Sequence, residues 1–438
     1  MPSRRSGPGA IALLAVLLVM AIAACGADAG RPADPEKPDH HADPEPDAEP
    51  AETVPPLRAR AVELVGRMTL EQKAAQVLIT TIGGGREITD EFRARLSEIP
   101  VGGVILLAYN IGPDAETVMA LTRELQRHAH SVGAGLPLFI AVDHEGGTVF
   151  RFGEIATRLP AASVIGPYAV HDEARPLVEE LFVNTASQLA AFGITMNFAP
   201  ILEPLTSEND AFLRFRSYSA DPEVAAAAAG LFADAMREAG VVAVGKHFPG
   251  SGDGDPHEVL PVFRLDASSA DADGVRAFTV AARAGSLPAI MTAHVMAPAV
   301  DPGHPATLSH TIQSEFLRGE IGFRGLIVTD DLNMRGLTLS YSPGSAAVRA
   351  LNAGADLLLY MAGDVSGVHR AIVRAVTDGV LAEHRLDDAV IRIVETKLEF
   401  QLPEITTDDA MIERGIEFPR LKARGDELLT DFTALRTR

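Results

Sequence analysis

Tryptophan is absent from the 438 residues, and cysteine occurs once, at Cys25. A single thiol excludes an internal disulfide framework. The missing Trp removes one common platform for stacking sugars, though not sugar binding itself. Cationic charge is also scarce: 38 Lys and Arg stand against 59 Asp and Glu, leaving a net charge of −21. That balance excludes an electrostatic nucleic-acid binder, because phosphate binding asks for clustered Lys and Arg. No Walker or G-x-G-x-x-G pattern follows a strand in the right context, so the phosphate loop of an open nucleotide-binding sheet is missing. What the chain does have is apolar residues, 47% of the total, enough to bury a large core.

The N-terminus reads as a targeting segment. Arg4 and Arg5 precede an apolar stretch over 11–22, and Ile22-Ala23-Ala24-Cys25 ends it with small residues before the only thiol. The stretch is shorter than the roughly 20 residues of a membrane-spanning helix. It resembles a bacterial lipoprotein signal peptide over residues 1–25, with Cys25 as the lipidated residue; an ordinary secretory signal is the alternative. From 26 to 56 the composition turns to Pro, Asp, Glu and Ala, with nine acidic residues against two basic ones. Such a stretch buries too little apolar surface to offset its ordering entropy, so a disordered tether is expected. The protein is thus expected outside the cytoplasm, anchored to the bacterial cell membrane through its N-terminal lipid.

Beyond the tether, short apolar runs alternate with longer helical patterns. Strands are expected at 75–82, 103–107, 138–142, 196–199, 241–244, 289–292, 326–328 and 357–360. Helices are expected at 115–130, 174–191, 222–239, 268–284, 345–353 and 367–378. Strands apolar on both faces and alternating with helices argue for an α/β protein with a parallel sheet. Eight such units predict a single (β/α)8 TIM barrel over 57–405, followed by a helical C-terminal tail at 406–438 that packs outside or frays. No room remains for a second large domain.

In such a barrel the functional groups sit where strands end. Asp143 follows the third strand, Lys246 and His247 the fifth, His294 the sixth and Asp330 the seventh. The stretch Lys246-His247-Phe248-Pro249-Gly250-Ser251-Gly252-Asp253-Gly254-Asp255-Pro256-His257 reads as a Gly- and Pro-rich surface loop crowded with titratable groups. Within it, Asp255 and His257 form a candidate Asp–His pair, the carboxylate orienting the imidazole for acid/base work. Thr329-Asp330-Asp331 places two carboxylates at a strand exit, and a carboxylate there can attack an anomeric carbon. A helix cap is the alternative reading for Asp331. Asp143 is a candidate acceptor for sugar hydroxyls and Arg151 its partner or a substrate ligand. Arg214 and Arg216 each read either as substrate ligands or as surface ion-pair partners. His144-Glu145 lacks the second histidine of a zinc motif. His247, Asp253, Asp255 and His257 make a weaker zinc alternative; no metal and no cofactor is expected.

At these residues the chain resembles glycoside hydrolase family 3, and within it the bacterial β-N-acetylglucosaminidases. The resemblance runs from Met68-Thr69-Leu70-Glu71-Gln72-Lys73 to about Met361. It includes Val101-Gly102-Gly103-Val104, Asp143-His144-Glu145-Gly146-Gly147, Asn197-Phe198-Ala199-Pro200, Arg216-Ser217-Tyr218, Lys246-His247-Phe248-Pro249-Gly250 and Thr329-Asp330-Asp331-Leu332. It implies a TIM barrel and a retaining mechanism without metal, with Asp330 as nucleophile and Asp255 and His257 as the acid/base dyad. Asp143, Arg151, Arg216, Lys246 and His247 match positions that hold the non-reducing N-acetylglucosamine. The implied substrates are GlcNAc–MurNAc fragments of peptidoglycan or other terminal β-GlcNAc glycosides. The sequence departs from the family pattern at Ser251, where a His is usual, at Thr148 and Phe150, and in a dyad loop two residues shorter. A β-glucosidase-type hexosidase of the same family and a non-catalytic muropeptide-binding lipoprotein are the alternatives.

Overall fold

Each of the eight apolar runs overlaps a strand of one parallel sheet in the computed structural model, which describes residues 55–264, 269–361 and 365–437. In chain order the strands are β1 (Leu78–Thr81), β2 (Gly103–Ile105), β3 (Phe139–Val142), β4 (Met196–Asn197), β5 (Val242–Phe248), β6 (Ala289–Thr292), β7 (Leu326–Thr329) and β8 (Leu358–Tyr360). β8 pairs with β1 (Leu78 opposite Leu358), the sheet runs on in order to β7, and a parallel bridge from Val328 to Leu357 closes the ring. The fold is therefore a (β/α)8 barrel with a helical C-terminal segment. Nearly every strand residue is buried, because the lumen is filled from inside and helices cover the outside.

The covering helices follow from local sequence. In Ala115–Ser131, Asp114 caps the first turn by accepting from the Thr117 N–H, and Val118, Leu121, Leu125 and Ala129 form the buried stripe. In Pro343–Ala353, Ser342 caps and a proline occupies the first position, where no N–H is needed. The helix expected from 268 begins at Asp273.

Two expected boundaries move for physical reasons. Residues Ala74–Gln76 belong to helix Leu70–Gln76, whose start is fixed by the reciprocal Thr69–Gln72 capping box, so β1 begins only at Leu78. More consequentially, β5 does not stop at Val244 but continues through Lys246 and His247 to Phe248. Its backbone finds partners beyond β4: Lys246 N–H donates to Pro200 O and Leu202 N–H to Lys246 O. Lys246 and His247 are therefore buried strand residues rather than members of a flexible loop.

The tail is docked, not frayed. Helix Phe418–Arg436 packs against Arg175–Ala191, and Gly425 makes the close approach possible, since a Cβ there would lie 2.3 Å from Thr157 Oγ1. Asn184 Nδ2 donates to Leu421 O, and the Phe418 ring lies 4.6 Å from Phe192, which stacks on Phe152. The expected leader with Cys25 and the tether lie outside the described residues, except for Pro55 and Pro56 at the tether's end, which cap and open helix Pro56–Val65. No helix among the described residues is long and apolar enough to cross a membrane.

Candidate active site

Strand exits on one end of the barrel surround a cavity of about 290 Å³. Its wall includes Asp143, Glu145, Arg151, Arg216, Lys246, His247, Ser251, His257, His294 and Asp330. Asp143, Arg151, Arg216, Lys246, His247, His257 and Asp330 thus face one space, whereas Asp255 reaches it only through His257, Arg214 lies outside it, and Cys25 is outside the described residues.

Lys246 is the electrostatic centre. Its ammonium donates to Asp143 Oδ1 at 2.9 Å and lies 2.8 Å from Glu145 Oε1. Arg216 grips Glu145 through two 2.8 Å bonds, from Nε and Nη2, with the Phe212 ring 4.7 Å from its guanidinium. Arg151 stands 3.6 Å from Asp143 Oδ2. Burial opposes the Glu145 charge, but Lys246 and Arg216 outweigh it and pull the carboxyl down to about 2. Burial likewise opposes the Lys246 charge, and Asp143 and Glu145 overcome it, raising the ammonium above its ordinary range. Glu145 and Lys246 therefore stay ionised, and Asp143 is partly exposed toward the cavity.

The segment carrying Asp143 is clamped from below. Asn197 on β4 accepts from His144 N–H at 2.9 Å and donates to His144 O at 3.0 Å. The His144 ring lies between Phe150 and Phe152, and burial drives its pKa down to about 3, so it is neutral. The unusual Phe150 thus packs against this histidine.

Glu203, fully buried beyond β4, is a member the sequence reading did not single out. Its Oε1 lies 2.7 Å from His247 Nδ1 and accepts from Ser251 Oγ at 2.7 Å; its Oε2 accepts from Ser251 N–H at 2.5 Å. Burial resists this charge, and the His247 and Ser251 bonds more than compensate, holding the carboxyl below its usual range. Ser251, the departure from the family pattern, is therefore tied to Glu203. Glu203 follows the β4 exit in the same segment that carries Arg216, and a carboxylate in that position is the signal that would have found it.

Asp330 leaves β7 with its N–H still paired to Thr292 O. Burial works against its charge, but the fields of His247 and His294 and the Asp331 N–H hold its carboxyl below the ordinary range. An ionised carboxylate at this position is a competent nucleophile. Asp331 has the other role: Oδ1 accepts from Asn333 and Met361 N–H groups, both at 3.0 Å, and burial raises its pKa. It shapes the turn. His294 is braced by Thr307 Oγ1 and Asp331 O, each at 2.8 Å.

The dyad stands at the open rim. His257 Nδ1 lies 2.8 Å from Asp255 Oδ1, which also accepts the His257 N–H at 2.9 Å. The carboxylate thereby fixes one ring nitrogen and leaves Nε2 as the working atom. Arg214 does not join the site; it pairs with Asp210 on the surface. Of the residues in the zinc alternative, Asp253 is engaged instead by Val262 N–H and Arg264. Among the described residues no such ligand group forms.

Comparison with known proteins identifies the family. Residues 69–396 match the glycosyl hydrolase family 3 N terminal domain. The β-hexosaminidase of Chromobacterium violaceum is 38% identical over 281 residues, covering 63% of this chain and 76% of that protein. A family 3 β-N-acetylglucosaminidase from Paenibacillus superposes with a TM-score of 0.72 at 32% identity, over 81% of this chain and 69% of that one. NagZ from Neisseria gonorrhoeae, solved with N-trifluoroacetyl-D-glucosamine, gives 0.61 at 30% identity, over 81% of this chain and 98% of that one. The match spans most of the chain and all eight strands, and the protein belongs to glycoside hydrolase family 3.

Proposed function

We propose that this enzyme is an exo-acting, retaining β-N-acetylglucosaminidase. Asp330 attacks the anomeric carbon while His257 gives its Nε2 proton to the glycosidic oxygen, and the aglycone leaves as an alcohol. Asp255 stabilises the imidazolium before transfer. Water then enters on the face the aglycone left, gives a proton to His257 and displaces Asp330 from the opposite face, so the two inversions retain configuration. Asp143 accepts from sugar hydroxyls, with Lys246 and Arg151 holding its charge and adding donors. Arg216 is held by Glu145, and His247 by Glu203.

The observation that carries this reading is the shared cavity: an ionised carboxylate and a carboxylate-braced imidazole line the same space. Its volume, about 290 Å³, suits a single sugar ring rather than a polymer chain. The acetamido preference is supported by relatives that are β-hexosaminidases or β-N-acetylglucosaminidases. The natural substrates are GlcNAc-terminated fragments of peptidoglycan, and Cys25 anchors the enzyme by lipid on the outer face of the cell membrane.

Asp330→Ala and His257→Ala should each reduce release of p-nitrophenol from its β-GlcNAc glycoside by at least about 100-fold. The first sugar product seen by NMR should be the β-anomer. Turnover of either variant at the parental rate, or an α-product, removes the mechanism. Tight GlcNAc binding without hydrolysis by the parent protein would instead indicate the binding lipoprotein, and faster cleavage of the β-glucoside would reassign the sugar. Cys25→Ala should release the protein from the membrane fraction.

A further inference from the structure

Gly336 stands six residues after Asp330, at the second position of the one-turn helix Arg335–Thr338. An amide there has no acceptor within its own helix. It donates instead to Pro256 O at 3.0 Å, the carbonyl between Asp255 and His257. Gly336 is buried, and a Cβ on it would lie 2.4 Å from Val259 O and 2.8 Å from Pro256 O. No larger residue fits while the dyad loop stays seated.

The rest of the loop is tied down at both ends. Ser251 is bonded to Glu203 at its start, and Asp253 N–H and Val262 N–H close its far end through Val262 O and Asp253 Oδ1. Within it, Glu258 and Val259 N–H groups return to Asp255 O. Gly336 supplies the crosspiece between these ends. On the other side, Met334 N–H bonds to Asp331 O, so Gly336 belongs to the same turn that carries the carboxylate pair.

We propose that Gly336 is a positioning residue that latches the acid/base loop over the nucleophile before substrate arrives. The latch is a backbone bond, and it sets the reach of His257 from the segment that holds Asp330. Misplacement by about 1 Å can cost roughly 100-fold in rate, so this spacing matters to catalysis. The proposal rests on His257 being the acid/base group.

The test separates the two ideas through the leaving group. A 2,4-dinitrophenyl β-GlcNAc glycoside departs without protonation, whereas a 4-methylumbelliferyl glycoside needs the acid. Gly336→Ala should lower kcat/KM for the 4-methylumbelliferyl substrate by about 100-fold and that for the dinitrophenyl substrate by less than about threefold, a split that general loss of structure does not produce. His257→Ala is the reference and should show the same split. If His257→Ala shows it and a folded Gly336→Ala does not, the latch is wrong and the acid/base assignment stands. If His257→Ala shows none, both fall. Hydrogen exchange on the unaltered enzyme without ligand gives a reading that needs no variant. The Gly336 amide should be protected, and rapid exchange at that amide overturns the latch.

Discussion

At the mouth of the barrel, Lys246 lies between Asp143 and Glu145; at the opposite end, Lys397 lies under the starts of β1, β2 and β3. Both are buried. Lys397 donates to Gln76 Oε1 and Gly102 O, each at 3.0 Å, with its ammonium 5.0 Å from the Phe139 ring. These acceptors are neutral, and burial is the one influence on the Lys397 charge. Burial alone then pushes the Lys397 pKa down to about 7, while that of Lys246 is raised. One barrel thus drives two buried lysines in opposite directions, and the partner decides the sign, not the depth. The floor also holds the reverse case. Asp356, fully buried, receives Arg318, Arg385 and Arg392 together with the Ile327 N–H. Charge at the mouth lines a cavity; charge at the floor joins strand starts to helices.

The sharpest way to break this comparison is to remove the mouth lysine. Lys246→Met leaves Asp143 and Glu145 without their shared cation, and should lower kcat/KM roughly 100- to 1,000-fold. Stripping one partner from a buried charge network should also cost about 3–5 kcal/mol in urea unfolding. Stability equal to the parent would show that Arg216 and Arg151 alone carry the network. Next in size is the floor anion. Asp356→Asn keeps shape and hydrogen-bonding capacity but leaves three guanidinium groups facing no charge. It should lose about 3 kcal/mol of stability while the folded fraction keeps parental kcat. A fall in kcat equal to that of Lys246→Met would mean the two ends are not separable.

How much of this was legible beforehand differs between the two ends for physical reasons. Eight apolar runs separated by helical patterns carry the barrel, because strands covered on both faces must be apolar whatever their neighbours are. Polar residues directly after such runs, Asp143 and Asp330, are legible as mouth groups by the same logic. Lys246 and His247 were placed beside the right strand but in the wrong state. Glycine, proline and charge spell a loop locally, yet pairing with Pro200 and Leu202 extends β5 through them. Glu203 was missed because its partners, His247 and Ser251, lie 44 and 48 residues away in the chain. Lys397 and Asp356 have no motif at all. Each looks like an ordinary charge on a helix or before a strand, and only the closed ring buries them.

The smallest effect at neutral pH is also the most diagnostic, because it has a predicted slope. The Lys397 ammonium titrates near 10.5 when unfolded and near 7 when folded. Between those values the unfolded chain binds more protons, so raising pH favours the folded state. The gain is complete above the unfolded value and is lost as pH falls through about 7, where the folded protein must carry an unpaired buried charge. Lys397→Met removes that slope. It also leaves Gln76 Oε1 and Gly102 O without a donor, at about 1 kcal/mol each, so the absolute change at any one pH is a poor guide. The difference between the two proteins is a better one. Urea unfolding at pH 6.5, 8 and 9.5 should show Lys397→Met gaining on the parent toward the acid end and losing that advantage toward the alkaline end. Parallel curves would mean that the Phe139 ring and two neutral oxygens hold the charge as well as Asp143 and Glu145 hold that of Lys246, and the distinction between mouth and floor would then rest on Asp356 alone.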